Sequence, residues 1–279
     1  MKRTAALLAL VLGLSACAGS PPVPSATPPE GLTVTLTQGR SDMPKHMLSV
    51  VMANSAATPV WVSDVRLSGP SFQETGFSRM DTAVKSVPVA LRVSYGAANC
   101  APGAVPELRP ARVIAHVKAG EEPSREVTWA LPHPEPLLAK LFREECEQFL
   151  VRQAVEIGFG PDWTEKDKVL HGTVIVTRRD GNEDVTVAEL SGNVHYELKF
   201  REMTLKAGVG RLEMPVEITP GRCDPHSFAE AKIAMLFNAR VALGAGEPRF
   251  LVFRSDTVQT PSTRLDQLFL GYARKTCGL

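Results

Sequence analysis

The feature that most constrains this chain is a spacing that occurs twice. Leu67-Ser68-Gly69 begins a stretch that reaches Cys100 after 33 residues, and Leu190-Ser191-Gly192 begins one that reaches Cys223 after the same 33. The two landmarks are offset by 123 residues, and at that offset Leu91 matches Met214, Val93 matches Val216 and Pro102 matches Pro225. Each cysteine follows a strand-like run, 89–95 in one copy and 212–219 in the other. Each copy then ends in a helix-like segment with a further cysteine, Cys146 or Cys277. A rare residue at a fixed distance from a matching tripeptide marks an internal duplication. The expected fold is mainly β: two tandem, related β-sandwich-like domains, 32–150 and 151–279, each ending in a short α-helix.

Local patterns agree with this division. Leu32–Thr37 alternates apolar and polar residues, as a half-buried strand does. Runs at 47–53, 60–67, 89–95, 111–117 and 125–131 follow, punctuated by Pro and Gly. Short strands at such intervals suit a sandwich. His133-Pro134-Glu135-Pro136 opens a helix, because proline is tolerated in a first turn. Leu138, Leu141, Phe142 and Cys146 then recur at helical spacing. In the second copy, 151–159, 169–177, 184–190, 194–200, 212–219, 233–243 and 249–253 read as strands. Arg179-Asp180-Gly181-Asn182 holds the Asp-Gly pair of a tight hairpin. Thr260-Pro261 offers an N-cap and a first-turn proline, and Leu265, Leu268, Phe269 and Tyr272 form one apolar face before Cys277.

The first residues read as an address. Lys2 and Arg3 precede an apolar run at 5–14, too short for a helix that needs about 20 residues to span a bilayer. The run ends Leu14-Ser15-Ala16-Cys17. This tetrapeptide resembles the lipobox of bacterial lipoproteins. The resemblance implies a signal peptide at 1–16, cleavage before Cys17 and a diacylglycerol on the Cys17 thiol. Residues 17–31, with Pro21, Pro22, Pro24, Pro28 and Pro29, then read as an extended tether.

The chain has five cysteines, an odd number for an exported protein. With Cys17 taken by lipid, four remain, two per copy, in a compartment where disulfides persist. Four cysteines allow three pairings. Duplication selects among them, since each copy closes its own loop: Cys100–Cys146 and Cys223–Cys277.

Few residues suggest chemistry. Gly221-Arg222-Cys223-Asp224-Pro225-His226 resembles a stretch of uncharacterised lipoproteins from actinobacteria, a likeness that covers mainly the C-terminal half and implies no activity. The first copy shares its Cys-x-Pro frame as Cys100-Ala101-Pro102, which points to a structural corner. Asp224 is placed to cap a helical turn beginning at Pro225. His46, His116, His133, His171 and His195 are scattered singly. Trp61, Trp129 and Trp163 are candidates for a binding face, but strand tryptophans such as Trp61 and Trp129 usually pack in a core. Glu144-Glu145 and Arg178-Arg179 read as solvated charges, and Gly208-Val209-Gly210 as a turn. No GxSxG, HExxH, P-loop or dinucleotide fingerprint occurs. No catalytic residue, cofactor or metal site is therefore expected. The formal net charge is +1, and losing Lys2 and Arg3 leaves about −1. Such a balance gives no bulk attraction for nucleic acid. The expected function is that of a lipid-anchored cell-envelope protein on the extracytoplasmic face, with a binding or scaffold role. Its expected partners are the membrane, through Cys17, and another envelope protein. The alternative is an envelope hydrolase with a dispersed site.

Overall fold

The computed structural model describes residues 26–229, 235–255 and 262–279. The lipobox with Cys17, most of the tether and the Thr260-Pro261 cap lie outside them. The first copy contains β1 (Leu32–Thr37), β2 (Met47–Asn54), β3 (Val60–Ser68), β4 (Ser78–Val84), β5 (Val89–Ser94), β6 (Arg112–Ala119), β7 (Arg125–Ala130) and α1 (Pro136–Ala154). The second contains β8 (Val155–Phe159), β9 (Thr164–Lys166), β10 (Val169–Arg178), β11 (Val185–Ser191), β12 (Tyr196–Phe200), β13 (Met203–Leu205), β14 (Arg211–Pro220), α2 (Pro225–Ala229), β15 (Leu236–Leu243), β16 (Arg249–Arg254) and α3 (Ser262–Cys277).

The duplication is visible in the strand order. The first copy forms sheets β1-β2-β5 and β4-β3-β6-β7. The second forms β12-β14-β10-β8, with β9 added on β10, and β13-β11-β15-β16. With β9 and β12 set aside, every strand of one copy has its counterpart, in chain order, at the same sheet position of the other. Among the described residues, the pairings between these named strands are all antiparallel. The fold is mainly β, two related sandwich-like units each followed by a helix.

Alternation along the strands builds one apolar core per unit. Val50, Val62, Val93 and Val113 fill the first, with Leu138, Phe142 and Cys146 of α1 packed among them. Phe159, Val174, Met214 and Phe237 fill the second, with Leu265, Phe269 and Tyr272 of α3. Each helix therefore buries the face expected for it, at ~1.5–3 kcal/mol per large apolar side chain. The two expected disulfides close these arrangements: Cys100–Cys146 and Cys223–Cys277 have S–S distances of 2.10 Å and 2.00 Å.

Helix α1 starts as its sequence requires. Glu135 is the N-cap and accepts the Leu138 N–H at 2.7 Å, and Pro136 occupies the first turn. It continues to Ala154, so the strand expected over 151–159 begins only at Val155. The helical stripe of Phe142 and Cys146 simply runs on through Leu150, while Val151 packs in the second core. The last turns of α1 also cover the outer edge of β16. Glu147 accepts the Phe250 N–H at 2.7 Å, Gln148 accepts the Val252 N–H at 3.4 Å, and Arg152 donates to the Val252 carbonyl at 3.0 Å. An edge strand with open N–H and C=O groups templates unwanted pairing, and these side chains occupy it. Glu147→Ala is expected to cost about 1–3 kcal/mol, because the Phe250 N–H loses its acceptor in a partly buried site. Hydrogen exchange should show the Phe250 amide opening faster, with Leu91 unaffected. Equal protection in variant and wild type would refute the edge role.

The corresponding edge of the first unit, β7, is covered differently. The Ala26 N–H donates to the Glu126 carbonyl at 3.1 Å, and Ala26 pairs with Val127. The end of the expected tether, 26–31, is thus stitched to the sandwich. Two turn expectations also change. The chain bends at Asp180, with Gly181 at φ 72°, but β10 and β11 belong to different sheets and do not form the expected hairpin. A two-residue hairpin instead joins β9 to β10 through Asp167 and Lys168, both at positive φ.

Candidate functional site

The solvent-facing side of the β4-β3-β6-β7 sheet gathers the side chains with the most chemical capacity. Both pairings of β3 slip between Val62 and Asp64: against β6 Ser63 is the extra, bulged residue, and against β4 Met80 and Asp81 together oppose it. A bulge re-aims the side chains beside it. Here it turns Asp64 outward into a row that crosses all four strands, Arg79-Asp64-His116-Glu126. In the second unit the slip lies between Val187 and Glu189, and Val187, the counterpart of Asp64 at the 123-residue offset, stays fully buried. The row therefore belongs to the first unit alone.

Within the row, Asp64 Oδ1 lies 2.7 Å from His116 Nδ1, and Glu126 Oε2 lies 3.8 Å from His116 Nε2. The Phe77 ring sits over the imidazole at 5.0 Å and carries the Arg66 guanidinium on it at 4.9 Å. Glu74 binds Arg66 at 2.9 Å and accepts the Ser68 hydroxyl at 2.8 Å. Beside the row stands Trp61, cross-strand from Lys118 and Ala83. Trp61 was expected in the core and is 46% exposed, while Phe77 is 38% exposed. Alternation gives the reason: Val60 and Val62 point into the core, so Trp61 between them points out. Trp129 is buried as expected and donates from Nε1 to the Leu32 carbonyl at 3.2 Å. Trp163 belongs to the second core, 4.9 Å from the Phe269 ring. It lies so close to β10 that a Cβ at Gly172 would come within 2.4 Å of it.

The row has the makings of a hydrogen-bonding platform rather than of a nucleophile. The Ser63 hydroxyl donates to the His116 carbonyl at 3.3 Å, away from the imidazole. Among the described residues no cluster of His, Cys, Asp or Glu is arranged to hold a metal ion, and no helix is long and apolar enough to cross a membrane.

The other sequence candidates take structural positions. His46 lies 3.6 Å from Glu145, whose second oxygen accepts the Ala98 N–H at 2.9 Å. Glu145 is therefore a tie beside the Cys100–Cys146 bridge, not the solvated charge expected. Burial, with the Glu145 charge adding to it, pushes the nearby Tyr95 hydroxyl up to about 12. Glu144 pairs with Lys140 at 2.9 Å. Arg178 donates to the carbonyls of Val209 and Lys206 at 3.0 Å and 3.1 Å, holding the Gly208-Val209-Gly210 turn, and Arg179 pairs with Glu156 at 2.9 Å. These arginines too are ties rather than free charges. His171 lies 3.9 Å from Glu217 on the sheet surface, and His133 precedes α1. An open groove of about 370 Å³ between α1 and the second unit is lined by Lys140, Arg143, Glu147, Arg240 and Phe250.

At the corner, α2 starts at Pro225, directly after Asp224, which pairs with Arg222 at 3.0 Å. The backbone N–H groups of Gly221 and Arg222 bind the carbonyls of His195 and Val194 at 2.8 Å and 2.9 Å. His195 is buried, with Phe228 at 5.0 Å and, among the described residues, no partner for its Nδ1. Its counterpart at the 123-residue offset is Phe72, a buried ring that packs on Tyr95 and Phe142. The second unit has thus placed an imidazole where the first has a hydrocarbon ring. Burial lowers the His195 pKa, against an opposing pull from Asp224. A lowered folded-state pKa means that the unfolded chain takes up the proton first as pH falls. Stability contributed here is fully present above the ordinary histidine value of about 6.5 and is lost as pH falls from there towards the folded-state value. Urea unfolding at pH 7.5 and pH 5.5 should show a smaller loss for His195→Phe than for wild type. An identical loss in both would exclude His195 as its source.

Comparison with known proteins adds little. No family model matches the chain, and no curated protein matches it. One similar solved structure, described as the crystal structure of a protein of unknown function from Porphyromonas gingivalis W83, shares 13% identity over 80% of this chain and 97% of that one, with a TM-score of 0.20. A likeness at that score carries no argument.

Proposed function

We propose that this is a lipid-anchored cell-envelope protein that holds a binding face, the outer side of the β4-β3-β6-β7 sheet, close to the membrane on the extracytoplasmic side. The lipobox at Leu14-Ser15-Ala16-Cys17 supports the anchor and the location. The observation that carries the binding role is the outward row Asp64-His116-Glu126 with Trp61 and Phe77 exposed around it. The other four cysteines make the two bridges already described, which leaves Cys17 as the odd thiol. The stitching of Ala26 to β7 supports a short leash, since it lies nine residue steps from Cys17. An extended chain of that length reaches roughly 28 Å at ~3.1 Å per residue.

Two measurements test the reading. Cys17→Ala should release the protein from the membrane fraction and remove the mass of the lipid. Equal fractionation and equal lipid content of the two forms would refute the anchor. A photo-crosslinking residue in place of Lys118 should capture a partner in intact cells, whereas one in place of Lys199, on the second unit, should not. Capture from Lys199 alone would move the working face to the second unit.

A further inference from the structure

We infer that the ligand of this outer face is a neutral glycan, held by stacking on Trp61 and by hydrogen bonds from the Asp64-His116-Glu126 row. The inference rests on the reading of this face as the working surface and gives it a ligand class.

Trp61 leaves nearly half of its surface open to solvent. It lies on the solvent side between two core valines, and its counterpart in the second unit is Asp184, which binds Lys206 and the Ala207 N–H instead. Asp184 directly precedes β11, so the corresponding point of the second unit folds without an aromatic ring. The row is likewise copy-specific, because it depends on where the bulge falls. An exposed ring next to exposed polar groups matches a sugar, whose C–H faces stack on aromatic rings while its equatorial hydroxyls need donors and acceptors at the rim. Side-chain exposures of 28% for Asp64, 37% for His116 and 43% for Glu126 leave those groups accessible. The Trp61 side chain and the row are separated by two residue steps along the neighbouring β6, from Lys118 to His116, roughly 7 Å. One sugar ring can stack on Trp61 while the next reaches the row.

Charge selects a neutral ligand. Arg66, Arg79 and Lys118 are interleaved with Asp64, Glu74, Asp81 and Glu126, and two of these cations are already paired, Arg66 with Glu74 and Arg79 with Asp81. A face of interleaved signs concentrates neither polyanions nor cations. Its carboxylates, imidazole and amine offer both donors and acceptors to hydroxyl groups.

The test uses the full-length chain purified in detergent. It is applied to a broad array of immobilised neutral and charged glycans, and the strongest binder is then titrated calorimetrically. The expected result is binding to neutral glycans. Trp61→Ala should weaken it about tenfold or more, Trp61→Phe should restore part of it, and Asp64→Asn should weaken it several-fold. All three variants should melt at the wild-type temperature. A blank array, or a binder indifferent to Trp61→Ala, overturns the glycan. The Lys118 crosslinking then separates the two readings. A protein captured there with a blank array leaves the binding face standing and removes the glycan. No capture and a blank array remove both.

Discussion

Replacing both Cys100 and Cys146 by alanine is expected to lower the melting temperature of the first unit by on the order of 10–20 °C. The bridge closes a loop of 46 residues, for which the loss of chain entropy in the unfolded state is worth ~4 kcal/mol. For a unit of this size each 1 kcal/mol corresponds to a few degrees. The bridge also has a local task. It ties the segment after β5 to α1, with Cys146 fully buried next to the core ring of Phe142. Alanine at 146 leaves a small void there, so the loss should not fall below the entropic value. Because the far end of α1 covers β16, the effect should travel: amides of Phe250 and Val252 should exchange faster in the double variant. Removing Cys223 and Cys277 opens a loop of 54 residues and should cost the second unit a similar amount. In that variant the Ala26 contact with β7 should keep its protection. Calorimetry and hydrogen exchange under oxidising conditions check both statements. A shift of only a degree or two in either variant would contradict the entropic account.

The strands, the pairing of cysteines and the duplication were legible because each rests on a local or periodic signal. Leu32–Thr37 alternates, and the alternation is the burial pattern of β1. Cys100 and Cys223 follow matching strands, and matching strands have matching neighbours. What escaped had no such signal. The strand β4 reads Ser-Arg-Met-Asp-Thr-Ala-Val, lies at a sheet edge and contains Asp81 at φ 46°, so neither alternation nor β-propensity marks it. The strand β9 is exposed at every residue, and its turn uses Lys168 in a left-handed conformation that glycine or asparagine would normally take. The Asp-Gly pair marks only a bend, because turn chemistry alone does not decide whether the chain returns to the same sheet or crosses to the other.

The candidate site was illegible for a different reason. Asp64, His116 and Glu126 come from three strands and meet only through register, and that register shifts at a one-residue bulge at Ser63. Without the bulge Asp64 would follow Val187 into a core, so no reading of residues 60–67 in isolation could place it. Trp61 is the opposite case. Its outward direction follows from its two valine neighbours, and the general tendency of tryptophan towards cores was the weaker signal. Glu145 escaped because its acceptor role depends on Ala98, 47 residues away.

The second large effect concerns the aromatic centre of the second unit. Phe159→Ala is expected to cost 3–5 kcal/mol, the range for removing a fully buried aromatic ring. Phe159 ends β8, is fully buried, and is ringed by Trp163, Phe237, Phe253 and Phe269 at centroid distances of 5.6, 4.9, 5.4 and 5.4 Å. Most of these contacts are edge-to-face or tilted, geometries that add to area burial. The ring also helps to fix α3, sharing Phe269 with Trp163 and Tyr196 at 4.9 and 5.8 Å. The sister position makes the forecast asymmetric. Register places Phe159 opposite Val174 and Leu36 opposite Val50, so Leu36 is its counterpart at the 123-residue offset. Leu36 is only partly buried at the rim of the first core. Leu36→Ala should therefore cost well under the ~2–5 kcal/mol of a fully buried leucine. Hydrogen exchange resolves the units: Phe159→Ala should release the amides of β10 and β14 while β2 and β5 keep theirs. A comparable loss from both substitutions, or a loss near 1 kcal/mol for Phe159→Ala, would mean that the second core can collapse around the missing ring, and that α3 is held by its disulfide rather than by Phe269.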